Sequence, residues 1–339
     1  MEVRRVDPAD DKALAEWHAV LEASDRDDWP QRSGYTARDV RAFARFAGTS
    51  RRFELFTASE PGGAALGVGM MEFPLRDNLH ATEITVAVHP ARRRRGAGRA
   101  IVERMAGVAT ADGRRTLHNI VDVPTARTTA HPSVSFALRL GFVATMPGHE
   151  RHLQVPIDPE RHAALGAVVA GARHAADYRI LTFEAPWPAA READQCELLR
   201  VMSTDEPAGD GERQEEVWDP ERLQDNDALR SARGTPKLVA VAEHAASGRL
   251  VAATELLLAP DVPEQAWQLE TVVHPAHRGQ RLGLAVKLAN LEFLARRAPE
   301  VRVVSTGNAA LNGPMIAIND LLGFEVAAEG TFWQKQLLV

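Results

Sequence analysis

Cysteine occurs once in the 339-residue chain, at Cys196. One thiol excludes an internal disulfide and leaves no basis for a cysteine metal cluster, so no metal is expected and a reducing compartment fits. Lysine is scarce as well: Lys12, Lys237, Lys287 and Lys335 are the lysines among 40 basic residues. With abundant alanine, this bias points to genome composition and supplies no chemistry by itself. No apolar stretch approaches the roughly 20 residues that span a bilayer. The opening Met1-Glu2-Val3-Arg4-Arg5-Val6-Asp7 lacks the apolar core of a signal peptide. A cytoplasmic protein without a membrane partner is expected. Excess positive charge is also missing, since 46 acidic residues give a net charge of −6, which argues against nucleic acid as a partner. The basic residues are concentrated locally, at Arg92 to Arg95 and Arg99, where they call for a local anion or a solvated face.

What the sequence does have is a phrase used twice. Val88-His89-Pro90-Ala91-Arg92-Arg93 is followed by Gly98, and Val273-His274-Pro275-Ala276-His277-Arg278 by Gly283, 185 residues further on. Each copy follows an apolar, strand-like run, leads into a helical pattern and is followed by a Gly-Phe pair, Gly141-Phe142 or Gly323-Phe324. A duplicated domain follows, and the length suits two domains of about 150 to 190 residues. The division expected is 1–156, a linker helix at 157–176 opened by Asp158-Pro159, and 177–339.

Within the first half the patterning predicts a strand at 3–6 and a helix carrying Leu14, Trp17, Val20 and Leu21. A second helix follows at 37–46, then strands at 53–58 and 65–73 joined by Pro61-Gly62-Gly63, and a fourth strand at 82–88. A helix from 98 to 111, a strand at 116–121 and a helix at 133–140 closed by Gly141 complete it. The second half repeats this order: strand 178–184, helix 191–202, an acidic loop 203–216, helix 221–232, strands 237–243, 249–258 and 266–273, helix 282–297, strand 301–306 and helix 314–322. Each half is therefore read as an α/β (α+β) domain around a mixed sheet.

Arg93-Arg94-Arg95-Gly96-Ala97-Gly98 fits R-x-x-G-x-G between a strand and a helix. Glycines let the backbone approach an anion, and the free amides and dipole of a helix start favour a pyrophosphate. A charged, solvated helix start would explain one copy; recurrence in the same slot favours an anion cradle. The order of strand, V-x-P, R-x-x-G-x-G, helix, strand, helix and Gly-Phe resembles the Gcn5-related N-acetyltransferase (GNAT) superfamily. Two such units resemble its tandem members of mycothiol synthase type. The resemblance implies a largely antiparallel mixed sheet in each unit, with acetyl-CoA in a splay between the fourth and fifth strands. Its pyrophosphate would lie on the amides of Arg94, Arg95, Gly96, Ala97, Gly98 and Arg99, beside Arg93. The second copy would use Gly279, Gln280, Arg281, Leu282, Gly283 and Leu284, beside Arg278. The thioester carbonyl would lie near the strand ends, at Val86 and Val88 or at Val272 and Val273.

The copies depart from the family pattern. Arg281 stands in the slot of Gly96, where a helical φ would tolerate it and its charge would help. The tyrosine that often protonates the departing thiolate is replaced by Ala137 in one copy and Asn319 in the other. An asparagine that often contacts the pantetheine arm is matched by Asn312 but replaced by Ala130 in the first copy, and Asn308 adds an amide near the same splay. A loop or cap role competes for both asparagines.

An attacking amine must lose its proton, which calls for a carboxylate. Glu270 and Glu83 lie on the repeated fourth strand, five and seven residues before the turn proline. Both would then share a face, with Glu270 about 6.8 Å nearer the turn. Glu72 and Glu255, on the preceding strands, are alternatives. In the acidic loop, Asp205, Asp210 and Glu215 would draw a cationic acceptor, and a solvated loop is the competing reading. The reading is thus an acetyl-CoA-dependent N-acetyltransferase acting by direct attack of a small-molecule primary amine. It would work in the second unit through Glu270, Asn312 and Asn319, with the first unit structural or coenzyme-binding only. Open alternatives are acetylation of a protein N-terminus or lysine, and a non-catalytic coenzyme-binding protein. The duplication permits a monomeric pseudo-dimer or a homodimer.

Overall fold

The strands predicted from alternating and continuous apolar runs form, in a computed structural model that describes residues 1–29, 34–125, 131–205 and 214–337. The chain divides into two compact units whose boundaries do not follow the sequence halves. The first comprises Met1–Met146 and the end of the chain from Thr331; the second runs from Pro147 through Gly330 within the described residues.

The first unit opens with β1 (Glu2–Arg5) and α1 (Asp11–Asp28). Asp10 caps α1 by accepting from the Lys12 and Ala13 amides, and Leu14, Trp17, Val20 and Leu21 form its buried stripe. The helix runs on through Ser24 to Asp28. Then come α2 (Ala37–Arg45), β2 (Arg51–Ser59), β3 (Ala65–Pro74) and β4 (Ala81–Val88), followed by α3 (Ala97–Ala111), β5 (Thr116–Pro124) and α4 (Pro132–Arg139). Thr36 and Asp39 close a reciprocal capping box on α2.

The second unit repeats the pattern after α5 (Pro159–Ala170), whose N-cap is Asp158, as read from the sequence. It contains β7 (Tyr178–Glu184), α6 (Glu192–Asp205), α7 (Pro220–Arg233), β8 (Lys237–His244), β9 (Leu250–Leu258) and β10 (Gln265–Val273). These are followed by α8 (Leu282–Arg297), β11 (Val303–Ala309) and α9 (Gly313–Leu322).

Two long strands that the sequence reading left unassigned, β6 (Val143–Gln154) and β12 (Glu325–Gln336), complete the sheets. In the first unit the order is β1-β2-β3-β4-β5-β12, and in the second β6-β11-β10-β9-β8-β7. β6 pairs antiparallel with β11 from Val303↔Gln154 to Ala309↔Gly148. Each half of the sequence thus contributes its last strand to the other unit. The cores confirm the exchange: Trp333 is buried with Phe56, Phe73 and Met105 of the first unit, and Leu153 with Leu256, Leu284 and Leu322 of the second.

A chain ended at Gly330 is therefore expected to lose the first unit while keeping the second. Trp333→Ala should cost the first unit about 3–5 kcal/mol. Amide exchange should accelerate in β2 to β5 and stay slow in β8 and β9; equal acceleration in both would contradict the exchange.

Candidate active site

Each unit contains one parallel strand pair that starts and then parts. β4 and β5 pair from Ala81↔Thr116 to Glu83↔His118, and β10 and β11 from Gln265↔Val303 to Trp267↔Ser305. Beyond these registers, side chains take over ladder positions. Asn119 Nδ2 donates to the Ile84 carbonyl at 2.6 Å, and Thr306 Oγ1 to the Gln268 carbonyl at 3.3 Å. Backbone groups past these points have no strand partner across the pair and face a splay.

The repeated turns have one backbone path in both units. After a single 3₁₀ turn (Pro90–Arg92; Pro275–His277), two left-handed residues flank a third. They are Arg94 (φ 68°) and Gly96 (φ 89°) in the first copy, Gly279 (φ 77°) and Arg281 (φ 60°) in the second. Glycine and arginine have exchanged slots, and each copy holds one arginine in a conformation that costs a non-glycine residue about 1–2 kcal/mol. Arg281 is thus not helical as expected; it is the left-handed N-cap of α8. Its guanidinium points away from the turn, donating to the Val168 carbonyl at 2.5 Å, where it satisfies the last turn of α5.

The first helical bonds are donated by Ala100 to Gly96 and by Ala285 to Arg281. The amides ahead of them have no helical acceptor and form an anion-binding nest at a positive helix end. Gly98 and Gly283 sit in this first turn because another helix packs on it. A Cβ on Gly98 would lie 2.9 Å from Phe136, and one on Gly283 3.0 Å from Ile318. These cradles fit a pyrophosphate.

Arg93 and Arg278 play a different part from the phosphate contact expected of them. Each donates Nε to the last strand carbonyl, Val88 or Val273, at 3.2 Å. The Arg93 guanidinium also binds Asp27 at 2.9 Å and Asp28 at 2.7 Å; that of Arg278 binds Asp205. The two arginines clamp the C-terminal end of α1 or α6 to the turn, offsetting carboxylates that a helix C-terminus disfavours. Arg94, Arg95 and Arg99 stay exposed around the first cradle.

The acidic-loop reading changes accordingly. Asp205 is neutralised by Arg278 and Glu215 by Arg200 at 2.5 Å. Glu216 is held by Arg222 at 3.1 Å, and Arg222 stacks on Trp218. The counter-charges are arginines on other segments. Asp210 lies outside the described residues, as does Ala130.

Glu270 and Glu83 are less alike than their spacing suggested. The β9–β10 register slips by one residue between Gln268 and Thr271, so Leu269 and Glu270 together face Glu255 in a β-bulge. β4 pairs with β3 without a slip and sets Glu83 opposite Glu72. The bulge breaks the alternation on which the shared-face argument depended. The neighbouring carboxylates are engaged: Glu72 with Arg51 at 2.8 Å, Glu255 with Lys237 Nζ at 2.8 Å and Trp187 Nε1 at 2.9 Å. Burial disfavours the Lys237 ammonium, but Glu255, with Glu270 and Asp227 contributing, raises its pKa above the ordinary value. Lys237 is thus paired with Glu255 and also feels the Glu270 carboxylate.

On the other side of the second splay lies a group the sequence reading passed over. Lys287 on α8 is 1% exposed and Asn319 on α9 is 0% exposed. Lys287 Nζ donates to Asn319 Oδ1 at 2.9 Å, and Asn319 Nδ2 to Asn308 Oδ1 at 2.6 Å. The tyrosine slot is thus filled by an amide engaged at both ends. In the first unit the corresponding places hold Val102 and Ala137, both in the apolar core. Asn312 is the N-cap of α9, accepting from the Met315 amide at 3.3 Å; in the first unit His131 caps α4. The signal for Lys287 was its place within Leu282-Gly283-Leu284-Ala285-Val286-Lys287-Leu288, a lysine among residues that all turn inward.

His274 accepts from the Ala276 amide through Nδ1 at 3.3 Å, a turn-forming role. Burial pushes the Cys196 thiol up, with Asp219 and Glu192 adding to the effect, as suits a packed cysteine rather than a nucleophile. Among the described residues no set of three His, Cys, Asp or Glu side chains is placed to hold a metal ion, and no helix is long and apolar enough to cross a membrane.

Residues 15–142 match the Acetyltransferase (GNAT) family profile. The whole chain is similar to a tandem GNAT protein from the clavulanic acid biosynthesis pathway, at 28% identity and a TM-score of 0.80, covering 100% of this chain and 99% of that one. The fold is shared with a GCN5-related N-acetyltransferase from Sphaerobacter thermophilus at 14% identity (TM-score 0.64, 100% and 96% covered). It also occurs in a glucosamine N-acetyltransferase region of a fungal multi-domain β-N-acetylglucosaminidase, at 11% identity (TM-score 0.67, 98% and 38% covered). No curated protein matches the chain. Residues 15–142 thus carry a GNAT acetyltransferase domain, and the whole chain is similar to a tandem GNAT protein, in keeping with an acyltransferase of a family that generally uses acetyl-CoA.

Burial lowers the Lys287 pKa from 10.5 to about 7. Between those values the unfolded chain binds more protons than the folded one, so this group makes stability rise with pH across that window. Relative to Lys287→Met, the wild type should therefore gain stability from pH 7 to pH 10 in denaturant titrations. A pH-independent difference would place the lysine in a hydrated setting.

Proposed function

We propose that the chain transfers an acetyl group from acetyl-CoA to the primary amine of a small molecule, and that the chemistry belongs to the second unit. The observation that carries this assignment is the Lys287–Asn319–Asn308 chain beside the second splay, against Val102 and Ala137 in the first. The coenzyme supplies an activated acetyl thioester. The amides of 279–284 hold its pyrophosphate, Val272 and Val273 line its acyl end, and Asn312 and Asn308 lie along its arm. Glu270, at the bulge, takes the proton from the attacking amine directly or through water. The acid slot holds Asn319, which hydrogen-bonds but has no acidic proton, so the departing thiolate takes its proton from water or from the amine.

The first unit, with its exposed Arg94, Arg95 and Arg99, keeps an anion cradle beside an apolar interior, which supports coenzyme binding without turnover. No covalent enzyme intermediate is required.

With a panel of amines, Glu270→Gln should lower kcat by about 10² or more and leave coenzyme binding nearly intact, with Glu83→Gln doing much less. Loss of turnover on Glu83→Gln alone would move the chemistry to the first unit. Coenzyme binding without turnover of any amine would favour a binding protein.

A further inference from the structure

A hydrogen-bonded chain of amides has a direction, and here one end fixes it. A lysine ammonium has only donors, so Asn319 must present Oδ1 to Lys287, which turns its Nδ2 toward Asn308. At 2.6 Å from that Nδ2, Asn308 must present its oxygen in turn. Its own Nδ2 is then directed away from the chain. Asn308 is half-buried on β11, three residues past Ser305, the last residue paired with β10, and so belongs to the stretch where the strands have parted. Complete burial of Lys287 and Asn319 denies water the role of an alternative partner.

We propose that Asn308 Nδ2 is a hydrogen-bond donor for an amide carbonyl oxygen of the coenzyme's pantetheine arm in the second unit, with Lys287 as the positioning residue that sets its direction through Asn319. This rests on the functional reading above and adds a role for a residue that touches neither substrate nor coenzyme.

Burial alone moves the Lys287 pKa, to about 7, and the engaged charged groups on the elements packed around α8 include Glu184 of β7, bound to Arg297, while Glu270 of β10 acts on Lys237. Asp320 on α9 binds Arg151 at 2.5 Å, and Arg161 on α5 reaches the Leu322 carbonyl at 3.5 Å. His162 Nε2 lies 2.8 Å from Glu292 Oε1 without forming a hydrogen bond. On β8 and β9, Glu243 binds Arg179 and Arg191, and Glu255 binds Lys237 at 2.8 Å. The aromatic neighbour is Phe324, 5.5 Å from Nζ. Once deprotonated, the amine can accept as well as donate, and Asn319 is no longer held to one orientation. The grip on the arm should weaken above neutral pH.

The test is calorimetric titration with coenzyme A in a background where Arg94, Arg95 and Arg99 are reversed to glutamate, so that the first cradle does not contribute. Lys287→Met and Asn308→Ala should each raise Kd by about five- to tenfold, the value of one directed hydrogen bond. The double variant should be no weaker than either single, because both remove one interaction. The wild-type advantage over Lys287→Met should fall between pH 6 and pH 9. Additive effects, an unchanged Kd in Asn308→Ala, or a pH-independent advantage would each overturn the proposal. Asn308→Ala alters a half-buried strand residue and serves if Lys287→Met does not fold. Failure of the background protein itself to bind coenzyme A would instead refute the functional reading.

Discussion

Everything in either unit is arranged around a parallel strand pair that stops pairing. Three residues of β4 and β5 are in register, as are three of β10 and β11, before the strands separate. Unpaired backbone groups inside a domain are costly, so a surrounding structure must satisfy or use them. The Asn119 and Thr306 side chains satisfy the first positions. The left-handed turn then brings a helix start to the same region, and Gly98 or Gly283 lets the next helix close over it. A slot lined with donors at one end and apolar strands at the other is what an anionic coenzyme with a long arm requires.

The two copies meet this constraint with different residues. Both keep the clamp from strand end through arginine to the acidic end of the first helix, Arg93 with Asp27 and Asp28, Arg278 with Asp205. Both keep a cation beside a carboxylate at the base of the hairpin, Arg51 with Glu72 and Lys237 with Glu255. They diverge at the reacting end. The first unit keeps exposed arginines around its cradle and an apolar interior. The second uses its turn arginines for internal contacts and places a lysine where the first has valine. A buried lysine is destabilising unless something offsets it, so its position beside the splay is best understood as functional.

The sequence made much of this legible, and the parts it hid have physical reasons. The repeated phrase, the Gly-Phe pairs and the apolar periodicities of α1, α3 and α8 locate turn, cradle and helices, because these depend on local backbone chemistry. The exchange of β6 and β12 was invisible, since strand pairing between residues about 150 to 220 positions apart leaves no local mark. The bulge at Leu269 and Glu270 was missed because parity counting assumes an unbroken pleat. Asp205 and Glu215 looked available only because their partners, Arg278 and Arg200, lie on other segments. Lys287 was visible as a lysine in an apolar stripe and was set aside as composition.

The central claim is that the unpaired amides at the start of α8 hold the coenzyme for the reacting unit. Hydrogen–deuterium exchange of the amides at 279–284, with and without acetyl-CoA, tests it most directly. The account predicts that exchange there slows on adding coenzyme and that Asn308→Ala weakens this protection. Unchanged exchange at 279–284 under saturating coenzyme, with protection confined to 94–99, would contradict it.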